Sequence, residues 1–313
     1  MDASLTETQP TAGRFAGALR RPPVLGLMLL LLMVAEKMLA HTYTVITIYV
    51  LPAPWKYWVP GLIGCLGVWL IIRGMGKDEV KGTIQGYLGA VLVWMSWFES
   101  GLPLLARYEE IPTFLPEEGN RMAGLLGEHV LLQASGIFCL VTLLFIMLNK
   151  DVRCRMLLWI RRRIGLEVVG KPTQGYRPNV ARVAAFEYFY VTWFMYVVML
   201  ILIDPRLFGL YHPVTYIGSI LIVMWGIYLA FKLTQQREVG LSIRYAIGTV
   251  GVLWFIPEMA ALYEVLYEFY LYVDKHPVAM AVVLAVFIFI LRVLWTTPID
   301  AKTGRSASVS GRR

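Results

Sequence analysis

A carboxylate, an amine and an imidazole share one apolar stretch near the start of the chain. Glu36, Lys37 and His41 lie within LLLLMVAEKMLAHTYTVITIYV, residues 29–50. Lys37, His41 and Thr44 recur at i, i+4 and i+7, which sets them on one face of a helix. Thr47 falls a turn further, and Glu36 and Tyr43 form the neighbouring stripe. Three more acids are embedded in apolar runs. Glu99 stands in WMSWFESGL, Glu187 in AAFEYFYV, and Glu258 in VLWFIPEMAA with Pro257 before it and Trp254 one turn earlier. An ionised side chain at the centre of a bilayer costs about 2.5–3.5 kcal/mol on insertion scales, so such groups face a protein interior or a wet cavity and commonly carry function. Carboxylates, an amine and an imidazole together can hold and pass protons or bind a small cation. Glu36, Lys37, His41, Glu99, Glu187 and Glu258 are therefore expected to line an ion or substrate path. The competing expectation is internal pairing, with Lys37 neutralising Glu187 or Glu99. Glu258 has no base within a turn on its own helix, so its partner is expected from another span, with Lys37 and His41 the candidates.

Metal chemistry is the weaker alternative. His129, His212 and His276 fall at the expected outer ends of apolar runs. His129 and His276 with the adjacent Glu128 supply ligand types that suit several metals, and Glu99 and Glu258 could join them. No HxxxH or ExxH spacing supports the idea. A bis-histidine haem needs two histidines at one depth, whereas His41 falls well inside its run and His129 near an end. No nucleotide-binding, nucleophile-elbow or HExxH motif occurs, and these residues fix no cofactor and no catalytic set. The acids Glu264 and Glu268, beside tyrosines in YEVLYEFYLYV, are expected one helical turn apart at the end of the seventh apolar run. There they could form a mouth for a cation, although an aromatic anchor belt explains the tyrosines as well.

The elements that must hold these side chains are transmembrane helices. The 313 residues are 58% hydrophobic and 16% charged, with a mean hydropathy of +0.62. A soluble domain is nearer 45–50% apolar and about 25% charged. Apolar stretches long enough to cross a bilayer recur along the chain. They predict an all-α, polytopic integral membrane protein with eight spans, at 24–51, 57–75, 82–105, 125–148, 181–204, 213–234, 241–264 and 277–296. The net charge of +8 does not indicate nucleic acid, because the basic residues sit in short loops between apolar runs. Arg20 and Arg21, Arg73 and Lys77, the run from Lys150 to Arg177, Arg237, and Lys302 and Arg305 all fall on one side of an eight-span chain. By the positive-inside tendency that side is cytoplasmic. The expectation is a multi-pass plasma (inner) membrane protein with both termini in the cytoplasm, its first apolar run an uncleaved span.

Residues 1–22 and 299–313 read as disordered arms. Residues 23–149 and 181–298 read as two four-helix units, joined by a basic segment at 150–180. Within that segment, VRCRMLLWIRRRIGL (152–166) suits a helix lying in the interface, its arginines near anionic lipid headgroups, with a protein-partner helix as the alternative. The units are expected to be related. Glu36 and Glu187 lie 151 positions apart, each 18 before a proline that follows its span. Ile84, Gly89, Val93 and Glu99 match Ile243, Gly248, Val252 and Glu258 at an offset of 159. Parallel repeats of this kind occur among transporters. Cys65, Cys139 and Cys154 have neither zinc spacing nor a disulfide framework.

Movement of a small cation, proton or polar solute is the leading function on these residues. A non-catalytic or quinone-interacting subunit of a larger redox or energy-converting membrane complex is the alternative. A metal-dependent membrane enzyme acting on a lipid-like substrate comes third, and the sequence does not decide whether the chain is an enzyme.

Overall fold

The structure, a computed structural model, describes residues 17–116, 124–149, 155–166 and 179–298. The arm up to residue 16, the tail from 299, the acidic stretch at 117–123 and most of the basic segment lie outside the described residues. Eight helices are long and apolar enough to cross a bilayer: Val24–Val50, Trp55–Gly74, Glu79–Tyr108, Gly127–Leu148, Val180–Ile203, Pro213–Thr234, Val239–Leu262 and Pro277–Trp295. They are the first to eighth spans below. The only β pairing among the described residues is an isolated bridge between Phe114 and Leu125.

Three spans are longer or more irregular than hydropathy alone suggests. The third begins at Glu79 because Asp78 caps it, its side chain accepting from the Lys81 amide at 3.0 Å, as an N-cap acid does. That span then opens into a π-helical segment at Trp94–Ser100 before resuming as an α-helix at Gly101–Tyr108. The first span ends in a second π-helical segment, Ile46–Val50. The seventh span breaks at Trp254 between Val239–Leu253 and Phe255–Leu262. Pro257 explains the break, since it has no amide to bond the Leu253 carbonyl. Arg155–Arg163 forms a short helix, inside the expected 152–166.

The odd-numbered spans make the core and the even-numbered ones clad it. The first and seventh spans bury 56% of their apolar windows, the sixth only 11%. The second span packs on the third and the sixth on the seventh; the third packs on the fifth and the seventh on the first; the fourth packs on the fifth and the eighth on the first. The units expected from sequence are thus interleaved: the last span of each lies against the first span of the other. Close approach relies on small residues, as usual where lipid supplies no hydrophobic drive. A Cβ at Gly86 would collide with the Ala181 backbone of the fifth span, and Gly67 and Gly89 let the second and third spans touch.

The start of the first span and the end of the eighth lie side by side at one end of the bundle, with Arg20 donating to the Val293 carbonyl and to Thr296 Oγ1. At the opposite face, hereafter the loop side, Asp204 accepts from the Arg206 side chain at 2.8 and 2.9 Å and from Gln133 Nε2 at 3.2 Å. Burial alone would raise the Asp204 pKa, but the Arg206 and Gln133 hydrogen bonds outweigh it and hold the carboxyl below its ordinary value.

Candidate functional site

The first span carries two polar clusters a turn apart. Glu36 and Lys37 are both buried, 2% and 4% exposed, in the middle of an otherwise apolar helix. Glu36 accepts from two tyrosines on two other spans, Tyr87 of the third at 3.1 Å and Tyr188 of the fifth at 3.0 Å. Lys37 Nζ donates to the same Tyr188 hydroxyl at 2.9 Å and lies 3.9 Å from Glu36 Oε1. The Tyr188 hydroxyl therefore sits in a directed chain, taking a hydrogen bond from the amine and giving its own proton to the carboxylate. A buried charge pair persists only with such added hydrogen bonds, because desolvation otherwise exceeds the Coulomb gain.

One turn further, His41 Nε2 lies 3.2 Å from Glu258 Oε1 of the seventh span, and Trp254 Nε1 donates to the same oxygen at 2.6 Å. The other ring nitrogen, Nδ1, lies 2.8 Å from the Lys37 carbonyl. A carbonyl only accepts, so Nδ1 bears a proton. With Nδ1 protonated, the Nε2–Oε1 contact at 3.2 Å fits an imidazolium beside a carboxylate or a carboxylic acid beside a neutral imidazole. Moving the proton between these two forms needs no change of partner, which makes His41–Glu258 a natural holding point.

A cavity of about 30 Å³ lies between the two clusters, lined among others by Lys37, Thr192, Tyr196, Trp254 and Glu258. That is room enough for water, and polar groups are present to bind it. Further along the same helix the hydroxyls of Thr44 and Thr47 are buried without a partner, so the polar seam continues toward the loop side.

The structure brings four of the six expected path residues to this region: Glu36, Lys37, His41 and Glu258. Glu99 lies within electrostatic reach of His41 and Glu36, but among the described residues its hydrogen bond is to its own helix, accepting from Trp94 Nε1 at 2.7 Å. The π-helical turn makes that possible: it closes i to i+5, so Trp94 and Glu99 meet as Trp254 and Glu258 do at i and i+4. Glu187 is not in the cluster. One residue before the inward Tyr188, it points about 100° away around the helix and forms a two-bond ion pair with Arg244 at 2.7 and 3.0 Å. The expected pairing of Lys37 with Glu187 or Glu99 is thereby corrected: Lys37 pairs with Glu36 and Tyr188.

The metal candidates stay apart. His129 Nδ1 accepts from the Leu126 amide at 3.3 Å and its ring lies 6.2 Å from that of Tyr196. His276 Nε2 lies 3.3 Å from the Tyr267 hydroxyl. No group of three His, Cys, Asp or Glu among the described residues could hold a metal ion, Glu128 included. The expected helical turn at Glu264 and Glu268 is also corrected. The seventh span ends at Leu262, Glu264 has φ of +60°, and the following loop folds back over the bundle.

The tyrosines were the residues that sequence reasoning missed. A tyrosine in mid-span needs a partner for its hydroxyl, and that need was the available clue for Tyr87 and Tyr188. The chain matches no protein-family model, no curated protein and no solved structure.

Proposed function

We propose that the chain moves protons across the bilayer, with the His41–Glu258 pair as the central holding point and Lys37, Tyr188 and Glu36 as its neighbours on the path. The observation that carries the reading is the contact between His41 Nε2 and Glu258 Oε1, at 3.2 Å, beside a cavity with room for water. A duplicated ancestry is part of this reading. It is supported by the way the packing partners map onto one another when each span is exchanged for the one four later: second-on-third becomes sixth-on-seventh, third-on-fifth becomes seventh-on-first, and fourth-on-fifth becomes eighth-on-first. Lys37 and Tyr188, hydrogen-bonded to each other, are themselves 151 apart, the offset that relates Glu36 to Glu187. The basic loops support a plasma-membrane orientation with both termini cytoplasmic.

The test is proton flux into liposomes containing the purified chain and a trapped pH-sensitive dye, driven by a potassium diffusion potential. Flux above that of empty vesicles, lost in Glu258→Gln at equal folded protein, is the expected outcome. Wild-type vesicles no leakier than empty ones would overturn the reading.

A further inference from the structure

The loop that joins the seventh and eighth spans does not lie out in solvent. Its centre, a single 3-10 turn at Phe269–Leu271, is inserted among the first, seventh and eighth spans. Tyr270 is 2% exposed, and its ring stands edge-on to His41 at 5.7 Å and 6.0 Å from Trp254. The backbone is pinned as well: Thr42 Oγ1 donates to the Tyr270 carbonyl at 2.6 Å. The hydroxyl of Tyr270 donates to Glu268 in the same loop. A tyrosine that covers the proton-holding pair with its ring thus hands its hydroxyl to a carboxylate lying nearer the loop side.

We propose that Glu268, oriented by Tyr270, is the port through which protons enter or leave the His41–Glu258 pair on the loop side. The inference rests on the proton-transfer reading above and adds the route's outer end. Three features support it. Glu268 lies within the electrostatic reach of both Glu258 and His41, so its charge and theirs are coupled. It is half-buried while Glu264, Val265, Leu266 and Tyr267 before it are exposed, which places it between solvent and the interior. Burial is the largest influence on its carboxyl, opposed by the Tyr270 hydrogen bond, and the net effect is a pKa above the ordinary glutamate value. The other charged and titratable groups of the loop are Glu264, Tyr267, Tyr272, Asp274, Lys275 and His276. Tyr267 and His276 are engaged with each other, and Asp274 and Lys275 are exposed. In transfer, Glu268 takes one proton and releases one. Its charge returns to the starting value, and no other bond is made or broken.

The experiment is the liposome flux assay with external and internal pH varied separately, on unidirectionally oriented protein. Glu268→Gln should lower flux about tenfold, less than the hundredfold a positioned acid–base group commonly contributes, because water can bypass a port. It should also abolish the dependence of flux on loop-side pH while leaving the dependence on the opposite side intact, and Glu268→Asp should restore part of both. Tyr270→Phe removes the hydrogen bond that holds the Glu268 pKa down, so the midpoint of the loop-side profile should move to higher pH, with flux between those of wild type and Glu268→Gln. Asp274→Asn, in the exposed part of the loop, is the control and should match wild type. A conducting wild type with an unchanged Glu268→Gln profile would overturn this inference alone. A non-conducting wild type would overturn the transfer reading and the port together.

Discussion

Trp94–Glu99 and Trp254–Glu258 are the same device placed in two settings. Each is an indole donating to a carboxylate one turn along its helix, at 2.7 and 2.6 Å. One is built on a π-helical turn and the other on a proline break. The difference lies across the interface. Glu258 meets His41 of the first span at 3.2 Å, whereas no basic side chain among the described residues pairs with Glu99. An indole can hold a carboxylate in place, but its N–H is far too weak an acid to give up its proton near neutral pH. Only the carboxylate that also meets an imidazole gains a partner with which a proton can be traded.

The comparison breaks first on flux. Glu258→Gln should lower proton flux about hundredfold, the usual contribution of a positioned acid–base group, while Glu99→Gln should keep most of it. Equal losses in the liposome assay would mean that the two acids share one role. The next effect is on stability. His41→Gln leaves Glu258 with its indole alone, the condition Glu99 already has, and should cost about 1.5–3 kcal/mol, the range for a hydrogen bond to a charged group, because the pair is only partly buried. Thermal unfolding in detergent measures it. Adding Glu258→Gln to the same chain should recover part of the loss, and purely additive effects would show that the two side chains do not interact.

Trp94→Phe and Trp254→Phe should each cost about 1.5–3 kcal/mol, the range for a hydrogen bond to a charged group. Near-equal losses would sharpen the contrast by leaving His41 as the difference between the sites. The smallest effect lies outside the bilayer. The Asp204 carboxyl titrates below its ordinary range, so its contribution to stability is present above the unfolded-state pKa and is lost as the pH falls through the lower folded-state value. Melting temperature should therefore drop in strong acid by an amount that Asp204→Asn removes. A drop that persists in that variant would assign the acid lability to the buried carboxylates instead.

Much of this was readable from residue types. Eight apolar runs gave eight spans because hydrocarbon thickness fixes helix length. Glu258 without a base on its own helix had to find one elsewhere, and His41 was one of two candidates. The tyrosine partners of Glu36 were not readable. Which faces of the first, third and fifth spans meet depends on small residues such as Gly86 that apolar periodicity does not reveal. Glu187 misled for a related reason. At that point the helix has one inward position, and Tyr188 holds it, one residue and about 100° away. The inserted Tyr270 was hidden as well, because WKYWVP and YEVLYEFYLYV look alike as aromatic belts, and only tertiary packing separates an anchor from a plug.

The first span touches the seventh and eighth, which are made well after it. A helix that emerges long before its packing partners must wait in the membrane with its polar residues unmatched. Glu36 and Lys37 are neighbours on that helix, so each offers the other a counter-charge before any tyrosine arrives. His41 has no such companion until Glu258 follows, more than 200 residues later. Assembly therefore has a natural checkpoint: a chain that stops before the seventh span leaves His41 without its carboxylate. It also leaves one side of the first span bare to lipid or to whatever inspects unfinished membrane proteins.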